Sequence, residues 1–160
     1  MERALFTNNS DEWTTPKYLY NELNKRFKFT LDPCSTNENH LCDKYFTKED
    51  DGLSKSWKGE TVYVNPPYSN IKKWVEKCYM EHKTNGTSVV MLIPSRTDTI
   101  YFHNYIYHKA DIKFIKGRLH FSNSKNSAPF PSMIVIYKWE INNLLTYLKI
   151  SSTIKRRKEE

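Results

Sequence analysis

Asn65, Pro66, Pro67 and Tyr68 stand together at the end of the run TVYV (61–64). Neither proline can donate a backbone N–H and each fixes its own φ, so the four residues predict a stiff loop, not a continued strand or an immediate helix. The Asn65 side-chain carbonyl and the Pro66 backbone carbonyl are two acceptors held at fixed positions. Two acceptors converging on one point suit an NH2 group, which has two hydrogens to donate. Tyr68 adds a flat face for a planar ring, worth about 1–3 kcal/mol when that ring is a nucleobase. An exocyclic amine on a heteroaromatic ring is a poor nucleophile, because its lone pair is delocalised into the ring. Gripping both hydrogens favours a more tetrahedral nitrogen and stabilises the positive charge that develops as it attacks. A purely structural turn is the competing reading of these residues taken alone.

The surrounding elements must place this loop at an edge where a ligand can reach it. The β-branched run before it predicts a buried strand. Upstream, TTPKYLYNELNKRF (14–27) predicts a helix with Thr14 or Thr15 as N-cap, Pro16 at N1, and Tyr18, Leu19, Leu23 and Phe27 on one face. FKFTLDP (27–33) predicts a short strand ending in a loop, and residues 34–59 an irregular polar connection, often a binding segment when this long. Downstream, NIKKWVEKCYMEHKTNG (70–86) predicts an amphipathic helix capped by Ser69 or Asn70, with Ile71, Trp74, Val75 and Cys78 inward and Gly86 past its end. TSVVMLIPS (87–95) fits a central parallel strand buried on both faces. A second helix is expected over 97–110, with Ile100, Tyr101, Tyr105 and His108 as its candidate face, then strands at 111–121, interrupted at Gly117, and 132–141. This alternation implies an α/β layered fold with a mostly parallel sheet and an antiparallel C-terminal strand pair. In such sheets ligands bind outside the C-terminal ends of the strands, which is where 65–68 would lie.

A chain of 160 residues and 19.1 kDa is large enough for one core. We assign 1–140 to a single catalytic domain and 141–160 to a polar segment with a basic tail. The formal net charge of +7 falls to +3 without the four basic residues of KRRK (155–158), so basicity supports a polyanionic partner without proving one. Cys34, Cys42 and Cys78, with no apolar leader ahead of them, point to a reducing intracellular setting. No apolar run approaches membrane-spanning length, and Cys34, His40 and Cys42 fit no common zinc spacing. His40, His103, His108 and His120 show no pairing suited to acid–base catalysis.

The ordered series EWTTP (12–16), LDPCS (31–35), EDDGL (49–53), NPPYS (65–69), LIPSRTD (92–98), GRLHF (117–121) and PFPSMIVIYK (129–138) resembles the S-adenosylmethionine-dependent DNA amino-methyltransferases. More closely, it is similar to the small phage-type N6-adenine methyltransferases of the Dam family, over about residues 12–138. The resemblance implies a Rossmann-like methyltransferase fold with helices on both faces of the sheet, S-adenosyl-L-methionine as cofactor and double-stranded DNA as partner. It also implies a place in the cytoplasm of a bacterial host, encoded by a phage or prophage. By the same resemblance, Asn65, Pro66, Pro67 and Tyr68 would hold the target adenine. Thr15 and Pro16 would lie against the methionine part of the cofactor, and Asp32, Pro33 and Cys34 would form the loop that accepts hydrogen bonds from its amine or ribose. Asp50 or Asp51 would face its adenine amine. One departure stands out: the cofactor loop of most methyltransferases is glycine-rich, whereas LDPCSTNENH (31–40) has no Gly, leaving Ser35, Asn37 or Asn39 as polar substitutes.

The implied mechanism is direct in-line transfer onto a flipped base, with no cysteine nucleophile. Arg118 and Lys125, in the segment 116–132, suit phosphate contacts if that segment meets DNA; a plain surface hairpin is the alternative. Arg96 would bind DNA, or with Asp98 form an ion pair or a helix cap. Trp13 would stack on the cofactor or staple the first helix. No separate recognition domain is expected, so base readout would fall to loops 34–59 and 116–131. The sequence sets no oligomeric state. Methyl transfer to RNA or to a protein glutamine, or a non-catalytic DNA-binding module of the same fold, are the rival readings.

Overall fold

The computed structural model describes residues 13–138. The polar start (1–12), the end of the last expected strand and the 141–160 tail lie outside the described residues. Eight elements follow in chain order: α1 (Lys17–Phe27), β1 (Leu31–Asp32), β2 (Lys44–Tyr45), β3 (Thr61–Val64), α2 (Ile71–Asn85), β4 (Ser88–Pro94), β5 (Asp111–Phe114) and β6 (Ser132–Tyr137). They build one sheet in the order β2-β1-β3-β4-β6-β5. Pairing is parallel from β2 through β4, whereas β6 runs antiparallel to both β4 and β5. The expected antiparallel pair is therefore present, with β6 inserted between β4 and β5.

The apolar run of β4 explains why it sits inside the sheet. Val90 and Leu92 face one layer, with Leu19, Tyr20, Leu23 and Phe27 of α1. Val89, Met91 and Ile93 face the other, with Trp74, Val75 and Cys78 of α2. Both faces of the sheet are thus covered by helices, as an α/β sheet with apolar central strands requires. Each such buried side chain contributes about 1.5–3 kcal/mol of apolar burial.

Several local expectations are corrected. Neither Thr14 nor Thr15 caps α1: the residue before the helix is Pro16, at φ −59° and ψ 130°, and no side chain caps it. The Thr15 hydroxyl is taken instead by Tyr63 and Asn65. Nor does Ser69 or Asn70 cap α2 through its side chain; a 3-10 turn, Tyr68–Asn70, leads into the helix. Gly86 ends α2 at φ 68°, its N–H reaching back to the Glu81 and His82 carbonyls, as expected of a left-handed C-terminal cap. The helix expected over 97–110 centres on the π-helical segment Phe102–Ile106, closed by Tyr107 N–H donating to the Phe102 carbonyl at 2.8 Å. Its inward residues are Tyr101, Phe102 and Ile106, while Ile100 is 71% exposed. Aromatic and β-branched residues in this stretch are weak helix formers, so packing outweighs the 3.6-residue period.

The two flanking strands are shorter than expected, for different reasons. Residues 27–30 bend from α1 into the sheet, leaving only Leu31 and Asp32 in β1. After Phe114 the chain turns away through Gly117 at φ 77°. Leu119, Phe121, Ala128 and Phe130 then fold back onto the α1 side of the core. The segment 116–131 is therefore more than a surface hairpin: its inner face is core.

The irregular connection 34–59 hides β2 and one anchor. Trp57 is fully buried, its indole N–H donates to the Gly52 carbonyl at 3.0 Å and its backbone N–H to Glu81 Oε2 at 3.2 Å. Glu81 is itself buried and accepts from Lys77 Nζ at 2.6 Å and Asn85 Nδ2 at 2.8 Å. These bonds satisfy a carboxylate that burial alone would penalise. They also fix residues 50–53 relative to α2.

Candidate active site

From β1 the chain passes outward to β2 and then returns to the other side of β1 to form β3. The sheet order therefore reverses between β1 and β3, and the crevice beyond their C-terminal ends is the expected ligand position. A cavity of about 740 Å³ lies there, with Asp32, Pro33 and Cys34 contributed by the loop after β1 and Asn65 and Pro67 by the loop after β3. Trp13 and Thr15 enter from ahead of α1, and Asp51 and Gly52 from the loop that Trp57 holds. Its size is that of a small-molecule site.

Asn65 is the most constrained polar group in the crevice. Its Nδ2 donates to the Trp13 carbonyl and to Thr15 Oγ1 at 3.0 Å. The Tyr68 hydroxyl donates to Asn65 Oδ1 at 3.4 Å. A backbone carbonyl can only accept, so the amide nitrogen must face Trp13 and Oδ1 must face away from it. Thr15 is 3% exposed and also shares a 2.9 Å hydrogen bond with the Tyr63 hydroxyl.

Tyr68 sits beside the cavity in an aromatic cluster. Trp13 lies nearly parallel to it, 6.5 Å between centroids and 21° between planes, and Phe130 meets it edge-on at 5.4 Å. Trp13 also packs on Phe121 at 5.1 Å and Phe130 at 5.3 Å. Its main contacts are thus the Tyr68 loop and the 119–130 segment, in place of the staple on α1. Burial pushes the Tyr68 phenol well up, keeping it a neutral donor.

Asp32 is 4% exposed and accepts the Leu41 N–H at 3.1 Å. Burial raises its carboxyl from an ordinary 3.8 to about 6, against the lowering effect of the Leu41 and Cys34 N–H groups. Cys34 Sγ lies 3.5 Å from the Asn65 carbonyl. Burial and the nearby Asp32 push its thiol up, so it stays protonated and a weak nucleophile. The two neighbouring carboxylates separate clearly. Asp50 turns back to accept Thr47 N–H at 2.9 Å and Thr47 Oγ1 at 3.0 Å, whereas Asp51 lines the cavity. Among the described residues, Pro16, Asp50, Pro66 and Tyr68 do not line it.

Two features bear on whether a cofactor of the expected kind fits. The Ser35 hydroxyl is buried at the cavity wall without a hydrogen-bond partner, as a contact awaiting a polar ligand would be. A Cβ on Gly52 would stand 2.0 Å from the Pro33 carbonyl oxygen. The glycine missing from 31–40 is thus supplied across the cavity by the 49–53 loop, which lets the two backbones meet. The residues present fit a ligand with a polar rim and a planar base.

Arg96 and Arg118 come together at a second cavity of about 200 Å³, walled by Pro129, Phe130 and Pro131. The Ser95 N–H donates to the Pro131 carbonyl at 2.9 Å, which ties the end of β4 to this loop. Lys125 is exposed on the same loop but outside that cavity. His40 stacks on Tyr45 at 4.0 Å, and His120 shares a 2.8 Å hydrogen bond with Ser127, both structural roles. Among the described residues no group of three or more His, Cys, Asp or Glu is placed to hold a metal ion. Among them, too, no helix is long and apolar enough to cross a membrane.

Sequence reasoning passed over Tyr63 and Gly52. Tyr63 read as strand packing; its hydroxyl finds Thr15 only in three dimensions. For Gly52 a signal existed, because a lone glycine after two aspartates in a polar loop marks a close approach or a special turn.

Comparison with known proteins bears on the family. The model of the family described as DNA N-6-adenine-methyltransferase (Dam) matches residues 3–159. A DNA N-6-adenine-methyltransferase of Escherichia phage T1 is 32% identical over 111 residues, covering 68% of this chain and 46% of the phage protein. One from Haemophilus phage HP1 (strain HP1c1) is 27% identical over 138 residues, covering 81% of this chain and 80% of its own length. The chain thus matches about half the length of the first relative and most of the second. Its sheet order, its Asn65 loop at the switch point and a family match across nearly the whole sequence lead to one conclusion: this chain belongs to the Dam family of adenine-specific DNA methyltransferases.

Proposed function

We propose that this chain transfers a methyl group from S-adenosyl-L-methionine to the N6 amine of adenine in double-stranded DNA, inside a bacterial host cell. The observation that carries the reading is the Asn65 amide. Both of its hydrogens are committed to Trp13 and Thr15, and its carbonyl oxygen, which takes only a long 3.4 Å bond from the Tyr68 hydroxyl, keeps a lone pair for an incoming amine. This oxygen, with the Pro66 carbonyl as the second acceptor once the base is bound, would accept hydrogen bonds from N6 as positive charge develops there. Pro67, which lines the cavity, and the Tyr68 ring beside it would offer the face against which the flipped base stacks, and the base leaves the duplex at a cost of a few kcal/mol.

The cofactor supplies a methyl group already activated on sulfonium. Asp32, Pro33 and Cys34 would hold its amino acid or ribose part, Asp51 its adenine amine, and the Thr15 methyl group or backbone the side facing α1, with Pro16 outside the cavity. Asp50 serves that contact indirectly, by closing the turn that presents Asp51. Gly52 and Ser35 complete the cradle. Arg96 and Arg118 suit the phosphates flanking the extruded nucleotide, with Lys125 adding charge at the rim.

Calorimetry with S-adenosyl-L-methionine, followed by transfer of its labelled methyl group to duplex DNA, tests the reading. The wild-type protein should bind the cofactor and label adenine N6. Asn65→Ala should bind the cofactor as well and label nothing. Label in RNA or in a glutamine peptide but not in DNA, or cofactor binding without transfer to any of them, would overturn the proposal.

A further inference from the structure

Asn65 cannot use its carbonyl on a substrate unless the amide is held in one of its two orientations. A free asparagine amide turns readily about its last torsion, which is broad and nearly two-fold. Rotation by half a turn would put NH2 where an acceptor is needed and set two donors against each other. The residues that prevent this act on Asn65 without touching the substrate.

We propose that Thr15, backed by Tyr63, is a positioning residue that locks the Asn65 amide with its oxygen toward the amine to be methylated. The inference rests on the function proposed above and adds residues to that site. Three observations carry it. The Thr15 hydroxyl lies 3.0 Å from Asn65 Nδ2 and engages the amide hydrogen that Trp13 does not. Its other neighbour is the Tyr63 hydroxyl at 2.9 Å. Thr15 is 3% exposed and Tyr63 fully buried, so neither hydroxyl has water as a ready alternative. Because β3 carries both Tyr63 and, two residues on, the Asn65 loop, the strand sets the distance between lock and amide. An approach by Thr15 to a cofactor would have to use its methyl group or backbone while the hydroxyl stays with Asn65.

The hydroxyl contributes about one hydrogen bond's worth of restraint to a group whose alignment governs the rate, so its loss should lower kcat about tenfold. Thr15→Val keeps the shape and removes the hydroxyl; Thr15→Ser restores it; Tyr63→Phe removes only the backing. The lock predicts that Thr15→Val loses about tenfold in kcat with KM for DNA and cofactor affinity within twofold of wild type. Thr15→Ser should recover most of the loss, and Tyr63→Phe should fall between.

A readout that needs no turnover accompanies these assays. The Asn65 side-chain NH2 resonances, assigned by their loss in Asn65→Asp, should exchange slowly with solvent in the wild type and in Thr15→Ser. In Thr15→Val one of the pair should exchange at least tenfold faster. An unchanged kcat with weakened cofactor binding in Thr15→Val would make Thr15 a cofactor contact and overturn the lock, as would fast exchange of both wild-type hydrogens. Protected amide hydrogens in a wild-type protein that methylates nothing would instead overturn the proposed function while leaving the geometry of the lock intact.

Discussion

Asp32 is a buried carboxylate lining the crevice beyond β1 and β3, and replacing it by asparagine separates what it costs the fold from what it would do for binding. Its carboxyl is raised from 3.8 to about 6 by burial. Below 3.8 the group is protonated whether the chain is folded or not. Between 3.8 and 6 the unfolded chain ionises while the folded one keeps its proton, so stability falls as pH rises. Above 6 both are ionised and the full penalty stands, about 3 kcal/mol for a shift of this size.

Asp32→Asn removes that slope. It also loses an acceptor for one of the two backbone N–H groups, a cost of about 1–3 kcal/mol that does not vary with pH. The difference in unfolding free energy, variant minus wild type, should therefore climb by about 3 kcal/mol between about pH 3 and pH 7, whatever its starting value. Urea unfolding of both proteins, followed by tryptophan fluorescence across that range, measures it. If the proposed function holds, the variant should bind S-adenosyl-L-methionine more weakly at pH 7.5, since a neutral amide would replace the charge proposed to meet the cofactor's amine. A flat difference would show that the carboxyl ionises at its ordinary value and that burial is not what governs it.

Further expectations follow from the same structure. Gly52→Ala drives a methyl group into the Pro33 carbonyl, so thermal unfolding should show a loss of about 1–3 kcal/mol and calorimetry a weaker cofactor complex; unchanged values in both would refute the close approach. Arg118→Ala should reduce the salt slope of duplex DNA binding by about one and leave cofactor affinity unchanged, as a single phosphate contact requires. Lys113 is 8% exposed, its Nζ has no partner, and burial with the neighbouring Arg26 pushes it down to about 8. Lys113→Met should therefore add about 1–2 kcal/mol at pH 7, a gain that shrinks as pH rises through 8 toward 10.5 and the wild-type amine neutralises in both states. Equal gains at both ends of that range in urea unfolding would assign the effect to packing alone.

The parts of the molecule that could be read directly were those governed by local period. The stripe Trp74, Val75 and Cys78 announced α2, and the unbroken run 88–94 announced a strand covered on both faces. The Asn65 loop could be read because two prolines admit few conformations. Local rules failed where a distant partner outbid them. Thr15 looks like a helix cap by its position, yet its hydroxyl is claimed by Tyr63 and Asn65, 48 and 50 residues away. β2 is two residues long, too short for any periodic signal, and is defined by its pairing with β1. Trp57 gives no hint in sequence that it organises the loop before it; that follows from a carboxylate 24 residues on. Asp50 and Asp51 are adjacent and chemically identical, and only the turn closed on Thr47 tells them apart.

The short strap ahead of α1 is tied to the loop between β5 and β6. Thr14 N–H meets Asn123 Oδ1 across 109 positions, and the Ser122 hydroxyl meets the Thr15 carbonyl across 107. Contacts this remote close late, after the nearer ones have already restricted the chain. A polypeptide still emerging from the ribosome thus has its α1 and β1 well before it has Phe121 and Phe130, the rings on which Trp13 packs. A chain cut short before Phe121 would therefore carry the Asn65 loop without the aromatic rings that flank it.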